Sequence, residues 1–405
     1  MAACTASHTA SSRSDNTIST STEPAPTGAT PGVPIRAFWL TMDSYPTAKD
    51  AGIKNINAVV DDLQKAKINR VFLWVTSRYV ETERNPAVWG PRSPDPVRAC
   101  HSGACLMATW HAMREFVSAA HARHINVDVW YSPNDYKPTH DLLGQPPAPE
   151  RIDHPEWQVA YRDGELHDFE IDYASDEMQR YELGVIDYLL ATTHADGIQI
   201  EEPLYQADRP ATSSAADSEI SYSSSFVAKF IDRFGQDPRQ VAELQRRADM
   251  ATLKRELITR FLSSVRTMLK SKYASALVSV SSRESPPTAS DFVTPDFEHE
   301  GADYLGWIRN GLLDYIAPED YYTAVGPFTT VTHQQFALLG AAFRQHIIVG
   351  IAAPSRRGQP WNQHWLDFVS AEESQNVSWS IFNYRLLDGP SIEQLQQTAA
   401  SFKSP

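Results

Sequence analysis

No apolar run in this chain approaches the roughly 18–20 residues that a membrane-spanning helix needs. Basic charge is also short. The 36 Lys and Arg stand against 50 Asp and Glu, a formal net charge of −14 over 405 residues. With no basic patch to offset that balance, a nucleic acid or other polyphosphate partner is not expected. Cysteine is scarce, at three residues. Several catalytic signatures are missing: there is no Gly-x-Ser-x-Gly elbow and no His-Glu-x-x-His, and the thirteen His are scattered. What the chain does have is proline, at 27 residues, and aromatics, at ten Trp, sixteen Tyr and sixteen Phe. Most aromatics in any protein fill its core, but so many also suit a site that stacks on flat apolar faces, sugar rings among them.

Residues 1–33 are rich in Ser, Thr, Ala and Pro and show no apolar periodicity, so a disordered tail is expected. The opening Met1-Ala2-Ala3-Cys4 is similar to the end of a bacterial lipoprotein signal without its apolar stretch. On that reading Cys4 carries a lipid and the tail is a tether, which is the one expected link to a membrane. The other reading is a chance cysteine. Cys100 and Cys105 lie close together in a Pro-rich stretch. A zinc site calls for a second ligand pair at similar spacing, and none is present. A short-range disulfide formed in an oxidising compartment is the expectation, in a protein of the bacterial envelope or exterior. Two buried free thiols are the alternative.

From residue 34 onward, β-branched and aromatic runs alternate with amphipathic segments. The runs are Ile35–Thr41, Arg70–Thr76, Asn126–Ser132, Gly197–Glu201, Ala276–Ser281, Asp314–Ala317, His346–Ala352 and Ser378–Asn383. Most are continuously apolar, as parallel strands covered on both faces should be. Helices are expected over 55–67, 109–123, 176–193, 243–272, 302–311, 334–344, 363–374 and 391–401; in the first, Ile56, Val59, Val60 and Leu63 mark one face. Eight such alternations predict an α/β fold, a single-domain (β/α)8 TIM barrel over 34–405. The alternative is an open doubly wound sheet, but its Gly-rich phosphate turn is absent, since no glycine follows the first run until Gly52. Long Pro-, Asp- and Tyr-rich segments follow the second to fifth runs, whereas those preceding a run are mostly short. A barrel builds its site in this way, at the C-terminal ends of its strands.

Two of those ends carry paired acids. The fourth run closes on Glu201-Glu202-Pro203 and the sixth on Pro318-Glu319-Asp320-Tyr321-Tyr322. Glycosidic bond cleavage needs one carboxyl to protonate the leaving oxygen and a second to attack or to activate water. Crowding acids separates their pKa values and so sets up the two roles. Exposed acid pairs at solvated strand ends are also common, and alternation along the fourth run does not choose between Glu201 and Glu202. Other ends add Trp39 and Asp43, Trp130 and Tyr131, Arg283, and Trp379 and Asn383. The seventh ends in Ala-Pro-Ser with no acid, unlike the large retaining clan of barrel glycosidases, whose nucleophile stands there.

The order of motifs resembles a bacterial glycosyl-hydrolase-like barrel family of exported and lipoprotein chains, related to the hydrolase domain of poly-N-acetylglucosamine deacetylases. Its Arg-x-x-Trp-Leu-Thr is similar to Arg36–Thr41 here, and its Pro-Glu-Trp and Asp-Gly to Pro155–Trp157 and Asp163-Gly164. Its Asp-Gly-Ile-x-x-Asp-Asp matches Asp196–Glu202, and its Trp-x-x-x-Gly-x-x-Asp-x-Ile-x-Pro-Gln-x-Tyr matches Trp307–Tyr321. The departures are Glu201 and Glu202 in place of paired aspartates, and Glu319 in place of glutamine. The resemblance implies an exported glycoside hydrolase acting on a polysaccharide or oligosaccharide; a monomer without metal or cofactor is expected. Glu201, Glu202, Glu319 and Asp320 are then the candidate catalytic acids. Trp39, Asp43, Tyr131, Arg283, Tyr321, Tyr322, Trp379 and Asn383 are the candidate substrate contacts. The alternatives are a non-catalytic carbohydrate-binding barrel, or a lyase or transglycosylase.

Overall fold

The computed structural model describes residues 34–41, 48–75, 110–133, 154–205, 219–282, 300–322, 324–353, 355–356, 359–360, 365–384, 387 and 389–402. Cys4 and the rest of the tail, Asp43, Cys100, Cys105 and Arg283 lie outside them. Eight strands form one sheet: β1 (Arg36–Thr41), β2 (Arg70–Val75), β3 (Asn126–Tyr131), β4 (Gly197–Ile200), β5 (Leu277–Ser282), β6 (Tyr315–Pro318), β7 (Ile348–Ala352) and β8 (Ser378–Phe382). Their order is β6-β5-β4-β3-β2-β1-β8-β7, and every pairing is parallel. A parallel bridge between Ile316 and Ile347 joins the two outer strands, so the sheet closes into the expected barrel.

The helices around it are α1 (Lys49–Lys65), α2 (Ala112–His121), α3 (Asp176–Thr193), α4 (Ser224–Phe234), α5 (Glu243–Lys272), α6 (Tyr304–Arg309), α7 (Val325–Leu339), α8 (Trp365–Ser374) and α9 (Gly389–Ala399). Helix α1 buries Ile56, Val59, Val60 and Leu63, the face expected from their spacing, but starts six residues before the expected Asn55. Helix α7 starts at Val325, nine residues before the expected Gln334, and the end of that segment winds into a 3-10 turn over Ala341–His346. Helix α4 was not expected from the sequence. Ser223 begins it, its Oγ accepting the Phe226 N–H at 3.0 Å, and Phe226 and Phe230 supply its buried face.

Alternation divides the strand side chains between two cores. Val71, Leu73, Val127, Val129, Ile198, Ile200, Val278 and Val280 face outward under the helices. Ala37, Trp39, Phe72, Trp130, Leu277, Tyr315, Ala317 and Ile348 fill the lumen. The lumen is tight at Gly350, where a Cβ would stand 2.3 Å from the Pro318 carbonyl oxygen and 3.2 Å from the Trp39 ring. Glycine there lets β6 and β7 approach and leaves room for the Trp39 indole.

The strands' N-terminal ends are fastened by one device used four times. Asn69 before β2 accepts the Arg36 N–H at 2.9 Å, and Asp196 before β4 accepts that of Val127 at 2.7 Å. Asp314 before β6 accepts that of Val278 at 2.8 Å, and Ser378 at the start of β8 accepts that of Ile35 at 2.9 Å. The aspartates of the Asp-Gly-Ile and Asp-x-Ile motifs are therefore fasteners at the end of the barrel remote from its mouth. Pro155–Trp157 and Asp163-Gly164 have an equally local role. The first is a 3-10 turn and the second the turn of an antiparallel ribbon, Gln158–Ala160 with Leu166–Ile171.

Candidate active site

The barrel mouth has an aromatic floor. Trp39 of β1 touches Phe72, Trp130, Tyr321 and Phe382, with ring centroids 5.6–6.4 Å apart. Tyr321 stacks on Phe382 at 5.3 Å, and Trp74 lies against Trp130 at 6.2 Å. A bond across the lumen fixes the floor's orientation: the Trp39 Nε1–H donates to Gln199 Oε1 at 2.6 Å.

The acids stand on this floor. Glu201 leaves β4 on the same face as Gln199. Its Oε2 accepts two bonds, one from Trp130 Nε1 and one from Ser281 Oγ, the latter at 2.8 Å. Ser281 Oγ in turn accepts the Glu202 backbone N–H at 3.1 Å. Glu202 turns off the strand with φ of 31°, a left-handed conformation that a non-glycine residue adopts only at a cost. At the end of β6, Glu319 is half-buried and its N–H bonds to the Ser282 carbonyl at 2.9 Å. The Tyr321 phenol is held well above its ordinary pKa, first by burial and then by the negative charges of Glu319, Glu201 and Glu202. The charges of both strand ends thus act on one phenol.

Not every candidate joins them. Asp320, next to Glu319, is fully buried on the opposite face, where Gln335 Nε2 of α7 donates to its Oδ1 at 2.9 Å. Tyr322 is likewise buried beneath the helices. Tyr131 does not line the cleft. It points outward and its hydroxyl donates to Glu182 Oε2 of α3 at 2.5 Å, while its neighbour Trp130 takes the place expected of it. Trp379 also faces outward, with Phe402 6.2 Å away and Nε1 3.3 Å from Glu373 Oε2, the carboxylate that pairs with the buried Arg36. The inward aromatic residue of β8 is Phe382. A one-residue shift of parity reverses the face of a strand residue, and that is the reason in both cases. Asn383 sits at the rim, its Nδ2 3.3 Å from Thr41 Oγ1. Gln199 and Ser281 are site residues beyond the strand-end candidates. Gln199 is signalled by a polar residue inside an apolar strand; Ser281 carries no comparable mark.

The model of the glycosyl hydrolase-like 10 family matches residues 34–355. The chain belongs to that family. It is also 20% identical over 313 residues to the glycosyl hydrolase DigH of Escherichia coli K12, an alignment covering 71% of this chain and 66%, just under two thirds, of that protein. Among solved structures, the PgaB (BpsB) glycoside hydrolase domain from Bordetella bronchiseptica superposes with a TM-score of 0.60 at 13% identity, covering 91% of this chain and all of that one. The catalytic domain of β-amylase from Paenibacillus polymyxa gives 0.59 at 10% identity, covering 91% and 98%. At such identities the superpositions speak for the fold alone, a barrel shared with glycosidases.

Proposed function

We propose that this family member is an exported glycoside hydrolase that cleaves a polysaccharide or oligosaccharide between Glu201 and Glu319. The observation that carries the reading is that the charges of Glu201 and Glu202 after β4 and of Glu319 after β6 all act on the Tyr321 phenol, which packs against Trp39 and Phe382. A sugar ring can stack through its apolar face on the partly exposed rings of that cluster, Trp74 and Phe382, and opposed carboxyls can divide proton donation from attack or water activation. Two donors hold one oxygen of Glu201 in a fixed orientation, which suits it to the nucleophile or base role. Glu319 is then the proton donor. Asp320 plays no part in this scheme, and Glu202 stays close enough to modulate the charge.

The test is a polysaccharide panel assayed for new reducing ends. Wild-type protein should cleave at least one glycan, and Glu201→Gln and Glu319→Gln should abolish cleavage while keeping binding. Binding without cleavage by the wild type would identify a carbohydrate-binding barrel, and an unsaturated product would identify a lyase. Export is the part of this reading that calls for a Cys100–Cys105 disulfide. Thiol counting on denatured protein from an oxidising compartment should then find one reactive cysteine, and three would count against export.

A further inference from the structure

The strand between the two acid-bearing strands is β5, and its last inward hydroxyl touches both glutamates of β4. We propose that Ser281 is a positioning residue that holds Glu201 with one fixed oxygen turned from the substrate and the other presented to it. The proposal rests on the glycosidase reading above and deepens it.

An indole N–H only donates, and a serine hydroxyl has a single proton to give. Trp130 Nε1 and Ser281 Oγ both direct their protons at Glu201 Oε2. These two donors occupy the acceptor directions of Oε2, which disfavours a proton there, and the chemistry of Glu201 runs through Oε1. Ser281 cannot rotate to another acceptor without cost, because its oxygen also receives the Glu202 N–H. The run from amide N–H through hydroxyl to carboxylate polarises in one direction, so each bond strengthens the next. It also fastens Glu202 in its left-handed conformation, at the point where the chain leaves β4 for Pro203. Ser281 is fully buried, so water does not readily substitute for its hydroxyl. Ser281 itself contacts no reacting atom in this scheme. It acts through Glu201.

The test uses Ser281→Ala and, as a near-isosteric variant with a weak donor, Ser281→Cys. If the alanine variant folds poorly, the cysteine variant is read in its place. In the full-length protein each should lower kcat by about 10- to 100-fold with KM within about twofold, and should move the acidic limb of the kcat/KM profile up by about one pH unit. A second readout needs no substrate. With carboxyl-13C glutamate, the resonance lost in Glu201→Gln identifies Glu201, and its titration should move upward in both Ser281 variants. An unchanged Glu201 titration and an unchanged acidic limb in both variants would overturn the proposal, even in a fully active enzyme. A wild type that cleaves no glycan would remove the hydrolase reading, while the titration still decides whether Ser281 controls this carboxyl.

Discussion

Trp39 on β1 and Gln199 on β4 meet across the barrel lumen in a 2.6 Å hydrogen bond, although two strands separate them in the sheet. This bond sets the plane of the central ring of the floor. It also spans the barrel just below the acids. Gln199→Ala should remove it, orphan a buried indole N–H and open a cavity, at a cost of about 2–4 kcal/mol. Urea unfolding followed by tryptophan fluorescence measures the loss. A change below about 0.5 kcal/mol would mean the bond adds nothing to the fold.

A second prediction concerns the far end of the barrel. Asp314 accepts the Val278 N–H and also accepts from both Nη1 and Nη2 of Arg266, at 2.8 and 2.9 Å, while being almost fully buried. Asp314→Ala strands a half-buried arginine and frees a strand end, so about 3–5 kcal/mol should be lost. The KM of the folded fraction should be unchanged, because this residue of the motif is remote from the mouth. A raised KM with normal stability would reverse that assignment.

The barrel was legible because its strands are continuous apolar runs separated by helix-period segments, and a closed parallel sheet satisfies both patterns at once. The same continuity hid the facing of individual residues. A strand buried on both sides carries no alternation, so sequence alone does not say whether Trp130 or Tyr131 turns inward, nor Trp379 or Phe382. Pairing register decides it: Trp130 lies opposite Gln199, and Trp39 opposite Phe382. The acids were legible as charges ending apolar runs, yet Glu319 and Asp320 read alike until β6 is built. Helix α4 is short and follows a polar stretch of sequence, so its four-residue apolar spacing had little length in which to repeat.

That difference in facing is testable at the tryptophans. Trp379→Phe should lower stability by about 1–3 kcal/mol through lost packing on Phe402 and a lost bond to Glu373, with kcat/KM within about threefold of wild type. Trp130→Phe removes a donor from Glu201 and should lower kcat/KM by about 10-fold or more. Steady-state kinetics and thermal melts on both variants check the contrast. Equal kinetic losses would place Trp379 at the site after all.

Glu372 of α8 provides a pH signature of the fold. Burial pushes its carboxyl up to about 7 from an ordinary 4.5, with Arg344 only partly opposing the shift. Between those values the folded chain binds the proton and the unfolded chain releases it. Stability therefore falls as pH rises through this window and is level above about 7, with a total change of about 3 kcal/mol. Glu372→Gln should flatten the window, leaving the variant more stable than wild type near pH 8 and similar near pH 4.5. Urea midpoints at the two pH values are sufficient. An unchanged slope would assign the pH dependence to other groups.

The sharpest contrast lies between two neighbours in the chain. Glu319 and Asp320 end the same strand one residue apart, and alternation sends the first toward the mouth and the second beneath α7. Glu319→Gln removes the acid proposed to protonate the leaving oxygen and should lower kcat by about 100- to 10,000-fold, with substrate still bound. The loss should be smaller for substrates with good leaving groups, which need less proton donation. Asp320→Asn keeps an oxygen for Gln335 Nε2, so its kcat should stay within about threefold and stability should shift by about 1 kcal/mol or less. Kinetics on natural and activated glycosides separate these outcomes. If Asp320→Asn abolished turnover and Glu319→Gln did not, the proton donor would be misassigned and the facing at the end of β6 would have to be reversed.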